Sequence, residues 1–549
     1  FSAGNSYFNG NFGRRGGEFV STAYQAAHVA KQNSPLKDSA DPTICGSSEV
    51  GSQDQRGFDH DSQLECDIGS LDARESIITV NSARGGETAV SECRLSDALA
   101  IVNRQSYQKS TYYGGEFGNL LDETSCEAPA AISTIVFDLA AISESTAGQP
   151  VAPPRVAGNS TLIGGEAGFR DVDFRVVNIQ GPGSRLLTVD GYGQSGNLDT
   201  YSSDITLSGL TITGNSTSSG GGIDISNSYL AMEDVVVSGN IARRQGGGLD
   251  LSGSTAVISN STISDNEFGS QGAIGGGGIH ASRGSYIQML GSTVSGNSNP
   301  NGPNSRDGGG IHLRDSSFLT ALNSTISGNS AASGAGLFID DYSYASLLHT
   351  TIVNNSASEE GGGISLDDGG TVILDASIIS GNQSSYGGTE IAILDDSLPI
   401  PLENARGENM VIGGSQANVF FSIIGDSAKT FDESIKYSTD PGSVKITGGI
   451  VNTSTFADTN PNPDAVAAED FFRPLRFNGG LTKTHALQDN SIAVDAISGG
   501  EAACQRIPAL LTDQRGERRD LMCDIGAYEV TDFCFVSRAE NGRVFSVCL

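Results

Sequence analysis

The stretch from Leu210 to Ile225 reads Leu-Thr-Ile-Thr-Gly-Asn-Ser-Thr-Ser-Ser-Gly-Gly-Gly-Ile-Asp-Ile, and both of its halves recur along the middle of the chain. The first half contains an Asn that follows an Ile by three residues, and the equivalent asparagines, each after an Ile or Val, lie 25 to 32 residues apart. They are Asn215, Asn240, Asn266, Asn297, Asn329, Asn355 and Asn382. The second half, Gly-x-Gly-(Ile/Leu), begins at Gly220, Gly246, Gly276, Gly308, Gly334 and Gly361. A repeat of this length indicates a solenoid.

Apolar residues such as Val235, Val237, Val372 and Leu374 recur at every second position between the signatures, which is the pattern of short strands. One repeat cannot bury its own apolar face, so its strands have to pair in parallel with those of the next turn. Gly supplies positive φ at the corners, while Asn tolerates the left-handed conformation and its amide can bond to the turn above. The repeats predict an all-β fold, a parallel β-helix, with a ladder of asparagines along one corner.

The charge balance narrows the choice of partners. The 549 residues include 32 basic and 64 acidic ones, a formal net charge of -32. Nucleic-acid phosphates are bound by clusters of Lys and Arg, so a nucleic-acid partner is not expected. An acidic chain attracts divalent cations, calcium first among them, although a saline habitat would explain the charge equally well. No apolar run approaches the length of a membrane-spanning helix, and we expect no membrane insertion.

Two features favour a secreted, extracellular protein. The chain starts at Phe1 without Met or an apolar leader, as a processed chain would. Its cysteines number eight and fall into four local pairs, which indicates an oxidising compartment.

Three segments resemble known families of secreted bacterial proteins. The repeats resemble those of the polymorphic outer-membrane-protein type, whose fold is a right-handed parallel β-helix. The stretch Cys93-Arg-Leu-Ser-Asp-Ala-Leu-Ala-Ile-Val-Asn103, after Ile78-Thr-Val-Asn81, resembles the CSLREA motif. Five further motifs resemble the choice-of-anchor Q domain: Phe472-Arg-Pro-Leu-Arg-Phe-Asn-Gly-Gly480, Thr484-His-Ala-Leu487, Asn490-Ser-Ile-Ala-Val-Asp495, Thr512-Asp-Gln-Arg-Gly516 and Cys523-Asp-Ile-Gly-Ala-Tyr-Glu529. The resemblance implies a secreted or bacterial cell-surface protein with no defined catalysis.

The apolar spacing of the CSLREA-like stretch also predicts a helix, independently of the resemblance. Leu95, Leu99 and Val102 fall on one face of a short helix. We expect this helix to cap the open apolar end of the solenoid.

The N-terminal segment repeats the C-terminal motifs in the same order. Cys45 precedes Asp54-Gln-Arg-Gly57 by nine residues, as Cys504 precedes Asp513-Gln-Arg-Gly516 by nine. A histidine precedes the motifs of each copy, His28 in the N-terminal copy and His485 in the C-terminal copy. The duplicated context predicts duplicated disulfides, and elimination and proximity pair the other four cysteines. The predicted disulfides are Cys45–Cys66, Cys504–Cys523, Cys93–Cys126 and Cys534–Cys548, the last across a terminal hairpin.

The duplication suggests how the chain is organised. We divide it into an N-terminal bridged segment (1–75), a capped β-helix (76–470) and a C-terminal bridged segment (471–549). The N-terminal copy is either a recruited cap or an adaptor that offers the next subunit the surface that the C-terminal copy offers within its own chain. The second contact is head to tail and does not close, so it builds a filament. The residues expected to take part in assembly are His28, Asp54, Arg56, Gly57, Asp513, Arg515 and Gly516.

The sequence therefore favours a non-enzymatic structural or adhesive protein over two alternatives, a polysaccharide-active lyase or hydrolase and a monomeric carbohydrate-binding adhesin. The residue after each Gly-x-Gly-Ile step lies in an outward column that includes Asp250, His280 and His312, which could act as acid and base or hold a metal. Exposed polar residues on an outward face are the ordinary expectation for such a column. The repeats contain no Asn-Thr-Asp, Gly-His-Gly or Arg-Ile-Lys, the motifs typical of pectin-hydrolysing β-helices.

Two carboxylate pairs are candidates for calcium. They are Asp340-Asp341 and Asp367-Asp368, which lie on adjacent turns and could chelate the ion between them. Ordinary surface charge is the alternative.

Overall fold

The computed structural model describes residues 75–83, 92–104, 125–126, 132–145, 155–157, 161–164, 176–193, 197–201, 203–269, 275–299, 308–394, 400–403, 409–412, 415–420, 422–424, 435–437, 444–447, 450–451, 472–488, 491–498, 504, 507–520, 522–530, 534–538 and 544–548. The predictions for His28, Cys45, Asp54, Arg56, Gly57 and Cys66 lie outside these residues.

The chain divides into two compact units, Phe1–Val257 and Ile258–Leu549. The first unit contains helices α1 (Leu95–Arg104) and α2 (Leu139–Ser145), and the second contains a 3₁₀ helix at Pro508–Leu510. Within the described ranges, no helix is long and apolar enough to cross a membrane.

Short strands are the main secondary structure among the described residues of both units. Those of the first unit are β1 (Glu75–Val80), β2 (Ile132–Phe137), β3 (Arg155–Ala157), β4 (Thr161–Gly164), β5 (Val176–Gln180), β6 (Thr188–Asp190), β7 (Leu198–Tyr201), β8 (Asp204–Thr213), β9 (Ser216–Ser219), β10 (Ile223–Ser226), β11 (Tyr229–Ser238), β12 (Ile241–Gln245) and β13 (Leu249–Ser252). Strand β14 (Thr255–Ser259) contains the division between the units.

The second unit continues with β15 (Thr262–Ser264), β16 (Glu267–Phe268), β17 (Ile279–Ser282), β18 (Tyr286–Leu290), β19 (Thr293–Ser295), β20 (Ile311–Leu313), β21 (Phe318–Leu322), β22 (Thr325–Ser327), β23 (Ser330–Ala331), β24 (Leu337–Ile339), β25 (Tyr344–Leu348), β26 (Thr351–Val353), β27 (Ser356–Ala357), β28 (Ile364–Leu366), β29 (Thr371–Asp375), β30 (Ile378–Ser380), β31 (Gln383–Ser384), β32 (Ile391–Ile393), β33 (Ile400–Glu403), β34 (Asn409–Ile412), β35 (Gln416–Phe420), β36 (Ile423–Ile424), β37 (Ile435–Tyr437), β38 (Val444–Thr447) and β39 (Ile450–Val451). It ends with β40 (Arg476–Phe477), β41 (Lys483–Thr484), β42 (Ile497–Ser498), β43 (Met522–Cys523), β44 (Cys534–Arg538) and β45 (Val544–Cys548).

Strands of successive turns pair in parallel, so that equal positions of the repeat lie above one another. In the first unit, β10 pairs with β13 and places Ile223 opposite Leu249. In the second unit, β20 pairs with β17 and β24 and places Ile311 between Ile279 and Leu337. All five side chains are fully buried, which is how each turn covers the apolar face of the next. The parallel β-helix predicted from the repeats is confirmed.

The asparagines stack as a ladder along one corner, as predicted. Asn297 Nδ2 donates to Asn329 Oδ1 at 3.0 Å, and Asn329 Nδ2 donates to Asn355 Oδ1 at 2.9 Å. The same Asn329 amide also donates to the backbone carbonyl of Val294 at 3.1 Å. Gly328, directly before it, has φ +66°, the left-handed backbone that turns the chain at this corner.

Buried hydroxyls form a further ladder that the repeat analysis did not predict. The backbone N–H of Ser292 donates to Ser324 Oγ at 3.3 Å, while the Ser292 hydroxyl lies 3.0 Å from the carbonyl of Ile258. In the first unit, the N–H of Ser203 donates to Ser228 Oγ at 3.0 Å. These side chains satisfy backbone groups at corners where the regular strand pairing is interrupted.

The predicted short helix is present as α1, and its apolar face is buried. The residues predicted for that face, Leu95, Leu99 and Val102, are at most 4 % exposed. Asn81 fixes the start of the helix, because its backbone N–H donates to the Cys93 carbonyl at 2.9 Å and its Oδ1 accepts the Cys93 N–H at 2.7 Å. The predicted disulfide Cys93–Cys126 is formed beside it.

Candidate functional site

The C-terminal segment 472–530 lies against the side of the solenoid within the second unit. Four residues before Asn297, Asn329 and Asn355, the strands present outward threonines, which are Thr293, Thr325 and Thr351. These side chains are 0 %, 0 % and 3 % exposed, although alternation points them away from the core. The burial comes from the C-terminal segment, which crosses several turns. Its motifs are thus a solenoid-binding element.

Gln514 makes the central polar contact of this docking. Its Nε2 donates to Thr293 Oγ1 at 2.8 Å, and its Oε1 accepts the Thr325 hydroxyl at 2.6 Å. One side chain therefore joins two successive turns. Sequence analysis did not single out Gln514; the signal was its position inside the duplicated Asp-Gln-Arg-Gly motif.

His485 makes a second contact to the outer face. Its Nδ1 lies 2.8 Å from the carbonyl of Arg473, which only accepts, so Nδ1 carries the proton and Nε2 accepts the Ser327 hydroxyl at 2.7 Å. Burial lowers the pKa of His485, although the bond to that carbonyl opposes the effect. The neutral ring is therefore the form that fits this contact.

Arg519 anchors the segment from a fully buried position. Its Nη1 donates to Glu529 Oε2 at 2.8 Å, and its Nη2 donates to Asn323 Oδ1 at 3.0 Å and to the Gly526 carbonyl at 2.7 Å. Asn323 lies at a solenoid corner with φ +47° and donates in return to the carbonyl of Ala509 at 2.8 Å. The guanidinium thus joins an ion pair inside the segment to a corner of the solenoid.

The expected assembly residues Asp513, Arg515 and Gly516 shape the loop around Gln514. Asp513 Oδ2 accepts from Arg515 Nε at 2.8 Å, and Asp513 Oδ1 accepts the N–H groups of Arg515 and Glu517 at 2.8 and 3.0 Å. The Arg515 guanidinium stacks on Tyr528, 3.7 Å from the ring centre. Gly516 has φ +88°, a conformation that a side chain rarely adopts. These residues hold the loop, and Gln514 reaches the solenoid.

A disulfide reinforces the C-terminal segment. Cys504–Cys523 is formed as predicted, inside the apolar cluster that includes Leu487, Ile497 and Ile525. At the end of the chain, β44 and β45 pair antiparallel with Cys534 opposite Cys548, which is the hairpin predicted there.

The outward column has a different character in each unit. In the first, Asp199, Asp224 and Asp250 lie in register on three successive strands. Burial, and then the charges of Asp250 and Asp199, raise the pKa of Asp224 to about 8. Asp250 is 3 % exposed and accepts from Gln245 Nε2 at 2.8 Å. Asp224 therefore retains its proton near neutral pH.

In the second unit, His280 and His312 are each 1 % exposed, where polar residues at the surface had been expected. Their ring centres lie 5.5 Å apart, and that of His312 lies 5.1 Å from the ring of Phe338. Burial is the main cause that lowers the pKa of His312, so it is neutral at pH 7. In the described structure these imidazoles present no surface to a polymer.

The acidic pairs meet at a corner beside this column. One carboxylate oxygen each from Asp340, Asp341 and Asp368 lies within 4.8 Å of the others. Asp367 is 3 % exposed, and its Oδ1 accepts the N–H of Asp368 at 3.0 Å, so it is not part of that trio. The Arg314 guanidinium faces the corner, with Nη2 3.2 Å from Asp341 Oδ2.

Comparison with known proteins agrees with the fold. Residues 222–398 match the family model described as the right handed beta helix region. With the parallel register and the corners above, the chain is a right-handed parallel β-helix. No curated protein matches it. Among solved structures it is similar to the A-module of the mannuronan C-5 epimerase AlgE6 of Azotobacter vinelandii, with 12 % identity, coverage of 65 % of this chain and 96 % of that chain, and a TM-score of 0.23. Nothing about function is drawn from that similarity.

Proposed function

We propose that this chain is a secreted structural protein of the bacterial surface that assembles head to tail, with the N-terminal copy of one subunit docked on the solenoid of the next. The observation that carries the proposal is the docking of the C-terminal copy, in which Gln514 joins Thr293 to Thr325. A motif that binds the side of a β-helix occurs a second time in the chain. The resemblance to secreted choice-of-anchor Q proteins supports the location.

The N-terminal copy carries two of the side chains that make this docking. Gln55 stands in Asp54-Gln-Arg-Gly57 where Gln514 stands in the C-terminal motif, and His28 corresponds to His485. No Arg occurs between Gly57 and Cys66, so the counterpart of the buried Arg519 is missing. We expect the N-terminal copy to bind less tightly than the C-terminal copy and to exchange between chains.

Other turns of the solenoid offer the N-terminal copy a binding surface at the same outer position. The C-terminal segment buries Thr293, Thr325 and Thr351, but Thr262, at the same position one turn before Thr293, is only half-buried. In the first unit, Val236 occupies this position and is also half-buried. A neighbour's N-terminal copy seated over Val236, within the first unit, makes a heterologous contact, which repeats without closing.

Electron microscopy and sedimentation velocity of the full chain test the proposal. We expect filaments from the full chain, none after deletion of residues 1–75, and strongly shortened ones for Gln55→Ala. The matched control is Gln53→Ala, which lies just outside the motif and should assemble normally. Val236→Arg should block assembly from the receiving side. Monomers of the full chain in every condition, or filaments that persist without residues 1–75, would contradict the proposal.

A further inference from the structure

The structure assigns a divalent-cation site, best suited to calcium, to the corner formed by Asp340, Asp341 and Asp368. Strands β24 and β28 pair in register with Ile339 opposite Leu366, so the two acidic pairs leave the same edge of adjacent turns. The N–H of Tyr342 then donates to the carbonyl of Asp368 at 3.0 Å. This contact holds the second turn against the first and brings the three carboxylates together.

A buried imidazole facing the corner is an independent sign of a ligand. His312 is 1 % exposed, and neither ring nitrogen has a hydrogen-bond partner among the described residues. Its Nε2 lies 3.7 Å from Asp340 Oδ2, outside hydrogen-bond range but aimed at that carboxylate. Buried polar groups normally have a hydrogen-bond partner. A small movement of Asp340 would bring its carboxylate into hydrogen-bond range of His312. An imidazole that holds a ligating carboxylate is a common outer-shell arrangement in metal sites.

The net negative charge at the corner favours the binding of a dication. Three carboxylates face one guanidinium, that of Arg314, which is shared between Asp341 at 3.2 Å and the neighbouring Asp315 at 3.5 Å. The trio and this cation together carry two net negative charges. The three carboxylates lie close enough to repel one another. A bound dication would relieve this repulsion.

Size and ligand type favour calcium. Carboxylate oxygens are hard ligands, and calcium binds them at about 2.3–2.6 Å, so ligands on opposite sides of the ion lie about 4.6–5.2 Å apart. The three oxygens lie within 4.8 Å of one another, which such a shell accommodates with little movement. Magnesium requires a near-ideal octahedron with oxygens at about 2.0–2.1 Å and gives up its bound water reluctantly. The inference concerns the solenoid alone and does not depend on the assembly proposed above.

Titration calorimetry of the chelator-treated full chain with CaCl₂ tests the site. Asp368→Asn is the primary variant, because Asp368 is exposed and Asn tolerates its left-handed φ of +40°. The matched control is Asp265→Asn, another exposed Asp with positive φ, at a different corner. We expect saturable calcium binding in the parent and the control, a loss of at least about tenfold in affinity for Asp368→Asn, and weaker binding of MgCl₂.

A second readout separates binding at this corner from general attraction to an acidic chain. Tb³⁺ bound at the corner should show luminescence sensitised by the adjacent Tyr342, and this signal should fall in Tyr342→Leu while calcium affinity is kept. His312→Gln should weaken calcium binding by about tenfold, since the ring positions Asp340 without ligating the ion. No saturable calcium binding, or binding that Asp368→Asn and Asp265→Asn reduce equally, would overturn the inference.

Discussion

Replacement of the buried Arg519 by Leu is expected to detach the C-terminal segment. The change removes charge-assisted hydrogen bonds to Glu529, Asn323 and Gly526, at 2.8, 3.0 and 2.7 Å, and leaves their acceptors buried. Removal of one partner of a buried ion pair costs about 3–5 kcal/mol, and Leu recovers some apolar packing, so we expect a loss of about 4 kcal/mol. Because only the segment depends on this side chain, the loss should appear as local opening of residues 472–530.

Native-state hydrogen exchange measures this opening directly. The N–H of Gly526 donates to the solenoid carbonyl of Ala376 at 2.9 Å and reports on docking. Since each 1.4 kcal/mol is a factor of ten, its exchange should accelerate by about 10³ in Arg519→Leu. Arg518→Leu is the matched control, because Arg518 is exposed and adjacent. Equal exchange in the two variants, or acceleration below tenfold, would refute the reasoning.

Three further perturbations follow from described contacts. Because the folded-state pKa of Asp224 is raised to about 8, its contribution to the stability of the first unit is fully present below about pH 4 and is lost as the pH rises through 8; Asp224→Asn should flatten this slope in thermal melts across that range. Asn329→Ala removes one rung of the ladder and should lower the free energy of unfolding by about 2–3 kcal/mol in urea titrations, whereas Asn299→Ala, outside the ladder, should have little effect. Reduction of Cys504–Cys523, which closes 19 residues, should destabilise the docked segment by about 3 kcal/mol and speed its proteolysis, and unchanged proteolysis would contradict this.

The solenoid could be predicted from the sequence because its contacts repeat at a fixed spacing. Every ladder contact, such as Asn329 to Asn355, joins one repeat to the next, so the period alone places the partners. The short helix was predictable for a similar reason, since the spacing of Leu95, Leu99 and Val102 is local.

The docking of the C-terminal segment could not be predicted in this way. Gln514 and Thr325 are 189 positions apart, and nothing periodic connects them. An outward Thr on a strand has the pattern of a solvent-facing residue, so its burial depends on a segment whose position the repeat does not determine. Alternation also placed His280 and His312 outside the coil but did not reveal that they are buried.

The docked C-terminal segment also has a consequence for how the solenoid forms. In a stack where each repeat contacts its neighbours, turns can fray one at a time from an open end. The segment bonds to turns at Thr293, Thr325 and Thr351, so these turns are clamped to each other as well as to their neighbours. Because this clamp follows the clamped turns in the chain, a nascent or truncated chain that stops before residue 472 would hold its turns only by stacking. Synthesis of the segment thus changes a stack of turns that can unwind one at a time into one whose clamped turns open as a block.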